Sequence, residues 1–359
     1  MTPQPMPTDL PQEPRLLKTW LGASTWQIAR LGLIQSFVAV VVGIGICLLI
    51  ILVVADDPLT AFRSFVLGTF STTYAFGSMI AVATVLVLTG LAATVSFRAG
   101  AFNIGTEGQL VLGGLAAAVV AQDLGVGGFI GQAVALMAAT LTGAAWIAAP
   151  AWLRVRYQTN EILTTLMFNY ISADLALFLV NSYFRDPTSG AVETPPLDPS
   201  LWLPRILRTS SANVGAIFVV ALALVLWVLF ERTRAGKRME VTGLQPAFAE
   251  YVGIRSDRYL LISLLGSGAI AGLAGGMAIL GITHAYETGF SPQYGFLGIT
   301  VALIGRLQPL GIVLAALLYS SLIEGATVMQ STSDVPFALV FILQGILILL
   351  ITSRRFGEK

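Results

Sequence analysis

Apolar residues run along the chain in long blocks. They show neither the strict alternation of a half-buried strand nor the narrow stripe of an amphipathic surface helix. Charge-free stretches occupy residues 31–55, 64–97, 124–153, 209–230, 259–286, 288–305 and 335–353. A run of about 18 or more such residues is long enough to cross a bilayer as a helix. Three further apolar stretches each carry one acid or fall slightly short: 103–121 around Glu107, 162–181 around Asp174, and 307–323. Together these blocks predict an all-α, polytopic membrane fold of about ten transmembrane helices. Residues 1–30 form a Pro-rich tail whose second half, 16–30, reads as an interfacial helix. Residues 31–353 form the transmembrane domain and 354–359 a short tail. No apolar core of the kind a cleavable signal peptide needs precedes Leu31.

Composition agrees: 56% of the 359 residues are hydrophobic and 11% charged, which leaves too little polar surface to cover a soluble domain. The placement of the charges carries more. With both termini cytoplasmic, all but Arg63, Arg185, Arg205 and Arg208 of the 20 Lys and Arg fall inside, a strong positive-inside bias. Two polar loops follow from that orientation. Residues 182–213 are outside and rich in proline, with Leu201-Trp202-Leu203 as an interfacial anchor; residues 231–258 are inside, basic, and helical at their centre.

The net charge of +1 argues against nucleic acid as a partner. A single cysteine, Cys47, and a single histidine, His284, exclude a disulfide framework and the usual cysteine or imidazole metal sites. The lysines, Lys18, Lys237 and Lys359, do not stand in a phosphate-binding loop. No nucleophile, base and orienter set exists either, so the chain reads as a non-enzyme that binds no cofactor itself.

Two segments echo each other. An apolar helix from Tyr74 runs into Phe97-Arg98-Ala99-Gly100-Ala101-Phe102-Asn103-Ile104-Gly105-Thr106-Glu107-Gly108-Gln109, and one from Tyr259 runs into Gly289-Phe290-Ser291-Pro292-Gln293-Tyr294-Gly295. Each break is followed by another apolar helix, and the two units start on opposite sides, as inverted repeats around a transport pathway do. Asn103 and Glu107 share one helical face beyond the first break; they either line a polar pathway or satisfy backbone groups that the break frees. Thr165, Asn169 and Ser172 form a second polar stripe, suited to a pathway or to interhelical hydrogen bonds. Gly268, Gly272 and Gly276, and likewise Gly113, Ala117 and Ala121, form flat faces for close helix contact.

The segment from Phe97 to Gln109 resembles the Phe-Asn-Ile-Gly-x-Glu-Gly-Gln signature of permease subunits of bacterial ATP-binding-cassette importers for nucleosides, in the wider group of branched-chain amino acid and simple-sugar permeases. Asn160-Glu161-Ile162 with Leu166-Met167-Phe168-Asn169-Tyr170-Ile171, Val241-Thr242-Gly243-Leu244-Gln245-Pro246 with Ala249-Glu250-Tyr251-Val252-Gly253-Ile254, and Tyr294 through Gly305 extend the likeness in order. Gln245 stands where the family usually has Asn, and Met239-Glu240 where it usually has Ala.

The resemblance implies a subunit of the inner membrane that pairs with a second permease, docks a cytoplasmic ATP-binding subunit using ATP and magnesium, and receives solute from an extracytoplasmic substrate-binding lipoprotein. It directs attention to Gly243, Leu244, Pro246, Ala249, Tyr251 and Gly253 for ATPase coupling. A nucleoside calls for aromatic faces and amides. Phe102, Asn103, Gln109, Phe168 and Asn169 supply such groups along the expected pathway, beside the carboxylate of Glu107. A simple sugar or other small polar solute remains an alternative substrate, and an ion-coupled carrier using Glu107 and Asp174, or a passive channel, an alternative mechanism.

Overall fold

The computed structural model describes residues 55–333 except 124, with single helical positions at 45, 46, 48, 49, 51–53, 342 and 345. The tail and interfacial helix over 1–30, the first and last expected spans, and the tail 354–359 therefore lie outside the described residues or almost wholly so. What is described is helical, with two isolated bridges, Glu193 with Glu287 and Arg205 with Asn213, as the β-type pairing.

In chain order the α-helices are α1 (Pro58–Leu67), α2 (Thr73–Arg98), α3 (Thr106–Asp123), α4 (Gly128–Tyr157), α5 (Glu161–Leu179), α6 (Gly215–Arg232), α7 (Arg234–Leu244), α8 (Pro246–Tyr251), α9 (Ser256–Ala278), α10 (Tyr294–Ile304) and α11 (Pro309–Thr332). α5 and α9 each run on into a π-helical turn, Val180–Phe184 and Ile279–Thr283. Six of the described helices are long and apolar enough to cross a membrane: α2, α4, α5, α6, α9 and α11.

Local chemistry sets the ends. Thr72 accepts a hydrogen bond from the Ala75 N–H and starts α2 inside what reads as one apolar block over 64–97, so that block divides into α1, a short 3-10 turn and α2. Asn160 caps α5 through the Ile162 N–H, and Thr233 caps α7 through Gly236. The expected span 288–305 is corrected: its helix is α10 alone, 11 residues from Tyr294 to Ile304, too short to cross a bilayer. Pro292 and the left-handed Gln293 (φ 65°) keep the preceding residues out of the helix. The opposite correction applies to 307–323. α11 continues through Glu324 to Thr332, so a charge-free criterion cuts this helix short.

Burial orders the bundle. Of the apolar window of α2, 89% is buried, against 22% for the α5 span and 28% for α4 and for α6. α2 is therefore central and the others form the perimeter. α9 packs against α2, α3 and α4. At its contact with α3 and α4, Gly113, Gly143 and Gly272 let three backbones meet: a Cβ on Gly143 would lie 2.7 Å from the Gly272 Cα, and one on Gly113 2.5 Å from it. Small residues at a shared face are the means by which helices in lipid gain dispersion contact.

Candidate functional site: the meeting point of two interrupted helices

α2 ends in a glycine-terminated cap. The Ala101 N–H bonds to the Ser96 carbonyl and the Gly100 N–H to the Phe97 carbonyl, with Gly100 at φ 80°, a conformation only glycine adopts at little cost. Arg98, in the last turn of α2, suits the negative end of the helix. It pairs with Glu231 at 3.2 Å and donates to the Leu307 carbonyl at 3.1 Å, tying α2 to the end of α6 and to the turn before α11.

The seven residues between α2 and α3 leave backbone groups unpaired, and buried side chains take them up. Asn103 is 0% exposed. Its Oδ1 accepts from Gly105 N–H (2.9 Å) and from Gln109 Nε2 (3.2 Å), while its Nδ2 donates to Gln109 Oε1 (3.0 Å) and Ser267 Oγ (2.9 Å). All four hydrogen-bonding positions of this amide are occupied within the protein. Asn169 on α5 accepts from the Gly108 N–H at 2.8 Å and donates to the Ile104 carbonyl at 2.9 Å. Thr165 Oγ1 accepts from the Ile104 N–H at 3.2 Å. The polar stripe of α5 thus grips the break, which is the interhelical use of that stripe. Asp174 lies elsewhere, exposed on the outer surface of α5.

At the start of α3, Thr106 Oγ1 donates to the Gly295 carbonyl (3.1 Å), and Glu107 Oε2 accepts from the Gly295 N–H (2.7 Å). Gly295 is in the first turn of α10. The two interrupted helices therefore meet N-terminus to N-terminus, and a partly exposed carboxylate sits where both positive helix ends converge. A Cβ on Gly295 would lie 2.6 Å from the Glu107 Cα, so the backbones are in direct contact. Phe102, 48% exposed, stacks at a tilt on Phe97 with centroids 4.9 Å apart. Phe168, half-buried, pairs with Trp146 at 5.2 Å, across the α4–α5 contact.

The structure therefore brings Asn103, Gln109 and Asn169 together around the break, while Glu107 turns to Gly295 on α10. Asn103 precedes α3 in non-helical backbone, so the expected shared helical face of Asn103 and Glu107 is corrected. Pattern reading misses one acid. Glu324 is 6% exposed on α11, and the signal was its position at the edge of an apolar block.

At the basic end of the bundle, α7 and α8 form an elbow at Gln245. Gly243 lies backbone to backbone against the α2 cap: a Cβ there would overlap the Arg98 carbonyl oxygen and come within 2.8 Å of the Gly100 nitrogen. Pro246 opens α8, Ala249 is buried beneath it, and Gly253 (φ 80°) closes it with the Ile254 N–H bonded to the Ala249 carbonyl. Leu244 is 75% and Tyr251 89% exposed; Phe248 and Val252 extend this apolar ridge. These two were missed individually, although their helical spacing from Leu244 was readable. Arg238, Arg255 and Arg258 line the adjacent cleft.

At the opposite end, residues 192–203 pair with 280–288 through Thr194 N–H to Tyr286 O (2.9 Å), Leu197 N–H to His284 O (2.8 Å) and Leu203 N–H to Leu280 O (2.9 Å). Leu201 and Leu203 are buried, and Trp202 stacks on His284 at 3.9 Å. The Leu201-Trp202-Leu203 segment is thus an internal clasp; its apolar side chains have protein partners and do not serve as the expected membrane anchor.

Residues 75–352 match the family described as branched-chain amino acid transport system / permease component. Among curated proteins, the chain is 32% identical to the guanosine ABC transporter permease protein of Bacillus subtilis, over 89% of this chain and 93% of the relative. It is 30% identical to the glucose ABC transporter permease protein TsgB13 of Haloferax volcanii, over 84% and 82% respectively. A nucleoside ABC transporter permease protein of Lactococcus lactis is 28% identical, over 83% and 85%. Since the family match covers most of the chain and the likeness runs through both interrupted helices and the elbow between them, this multi-pass protein of the cell membrane belongs to the permease-component family of branched-chain amino acid transport systems.

Proposed function

We propose that the chain is the permease subunit of an ATP-driven ABC importer and forms the path for a nucleoside delivered by a substrate-binding lipoprotein. The observation that carries this reading is the exposed apolar ridge of Leu244, Phe248, Tyr251 and Val252 on an otherwise basic end, joined through Gly243 to the first helix break. A surface of that kind is suited to receive a protein partner, and the relatives named as ABC permeases support a cytoplasmic ATP-binding subunit in that role. ATP and magnesium belong to that subunit. A second permease completes the membrane part. The basic end faces the cytoplasm, in keeping with the distribution of Lys and Arg, and both termini lie on that side of about ten spans. The two interrupted segments, α2 with α3 and α9 with α10, are inverted repeats in this reading.

For the pathway, the amides of Asn103, Gln109 and Asn169 shape the wall, since their bonding capacity is used in holding the break. Glu107 and Phe102 offer the solute a carboxylate and an aromatic face, and Phe168, packed on Trp146, is a further aromatic candidate. Nucleoside is preferred because a guanosine and a nucleoside permease stand among the relatives; a simple sugar is the second reading, favoured by the glucose permease. Uptake into proteoliposomes holding the chain with its second permease, ATPase and lipoprotein tests both. Guanosine uptake that requires ATP is expected. Uptake of glucose but not guanosine rejects the nucleoside, and uptake driven by a proton gradient without ATPase rejects the importer.

A further inference from the structure

Two loops at opposite ends of the molecule each hold one of the interrupted segments. At the basic end, Gly243 sits against Gly100, whose own added Cβ would lie 2.9 Å from the Gly243 Cα, so the elbow touches the residues that lead into α3. At the other end, the clasp through Thr194 and Leu197 holds Tyr286 and His284, which lead into α10. From the clasp to the start of α10 the chain turns at two non-glycine left-handed residues, His284 within the clasp (φ 58°) and Gln293 before α10 (φ 65°), conformations that persist only where surrounding contacts impose them. The two segments meet where consecutive residues of α3 hold both backbone groups of Gly295, Thr106 its carbonyl and Glu107 its N–H.

We propose that Thr106 and Glu107 are positioning residues that join the two interrupted helices at Gly295, so that a displacement imposed at the elbow is delivered to the clasp and the reverse. This deepens the importer reading and rests on it for its use: nucleotide state on one side and solute delivery on the other would be communicated through this joint. α9 and its π turn also run from the elbow to the clasp along the chain, so variants at the joint separate a path across Gly295 from a path along α9. Coupling between sites is reciprocal, which provides two independent directions of test.

The experiment is backbone hydrogen exchange on the full chain in lipid nanodiscs. Gly243→Ala, which crowds Gly100, is expected to speed exchange over 100–106 and, about fivefold, over 284–295. In Thr106→Val and Glu107→Met backgrounds the acceleration stays within 100–106, whereas Glu107→Gln, which keeps an acceptor oxygen for Gly295, transmits it. Thr194→Val removes the acceptor of the Tyr286 N–H at the clasp and is expected to loosen 284–288 and, through an intact joint, 100–106; it serves where Gly243→Ala does not fold. Acceleration at the far segment that is equal with and without the joint, or absent in both directions with the joint intact, overturns the proposal. Neither ATP, solute nor partner is needed, so this outcome is separate from that of the uptake assay.

Discussion

Asn103 shows how one side chain can be both polar and structural inside a membrane. Its amide has no free valence, and removing it strands Gly105, Gln109 and Ser267 in a dry site. A buried group that loses its partner costs about 1–3 kcal/mol. Asn103→Ala and Asn169→Ala are accordingly expected to lower thermal stability in nanodiscs by about that amount each, measured by unfolding scans. Unchanged stability would mean that water replaces the amides. Tyr251 is the contrasting case. At 89% exposure its replacement by alanine should change stability by less than about 0.5 kcal/mol, yet abolish ATP-dependent uptake. A stable variant with normal uptake would remove the elbow from ATPase docking.

The elements show where small residues and loops become decisive. α9 meets α3 and α4 through Gly272, Gly113 and Gly143, and Gly143→Val forces the backbones apart. Overpacking costs about 1–3 kcal/mol or more, so that variant should insert but unfold at clearly lower temperature than Gly143→Ala. The clasp responds to pH instead. Burial first, and the charge of Arg205 second, hold the His284 imidazole down to about 4 from its ordinary 6.5. A released segment therefore binds a proton that the packed one excludes. The clasp is fully favoured above pH 6.5 and weakens as the pH falls toward about 4. Exchange over 284–288, corrected for intrinsic rates, should rise between about pH 7 and pH 5 and stay level in His284→Phe. A level wild-type profile would separate the imidazole from clasp stability.

For the whole molecule, a labelling experiment tests the orientation. In a Cys47→Ser background, Thr188→Cys in the exposed clasp loop should react with an impermeant maleimide added to intact cells, and Lys237→Cys on α7 only after lysis. The reverse pattern would invert the topology. Much of the architecture was legible in advance. Uninterrupted apolar blocks mark membrane helices because lipid offers backbone groups no partner, and six such helices stand where the blocks fall. The Gly-rich break, the polar stripe of α5 and the basic loop were also readable, because glycine, amides and arginine each carry a local physical signature. Helix ends were less so: Glu324 lies inside α11, and residues 284–293 are non-helical where the apolar blocks 259–286 and 288–305 adjoin. The amino-acid order alone determined the class of the protein, its breaks and its basic loop, since these depend on hydropathy and local backbone chemistry. Only the tertiary structure decided that Asn103 is saturated, that Leu201-Trp202-Leu203 is a clasp, and that Glu107 holds Gly295. Those facts depend on which distant residues share a level in the bundle, and that is set by packing between helices whose separation along the chain says nothing about their separation in space.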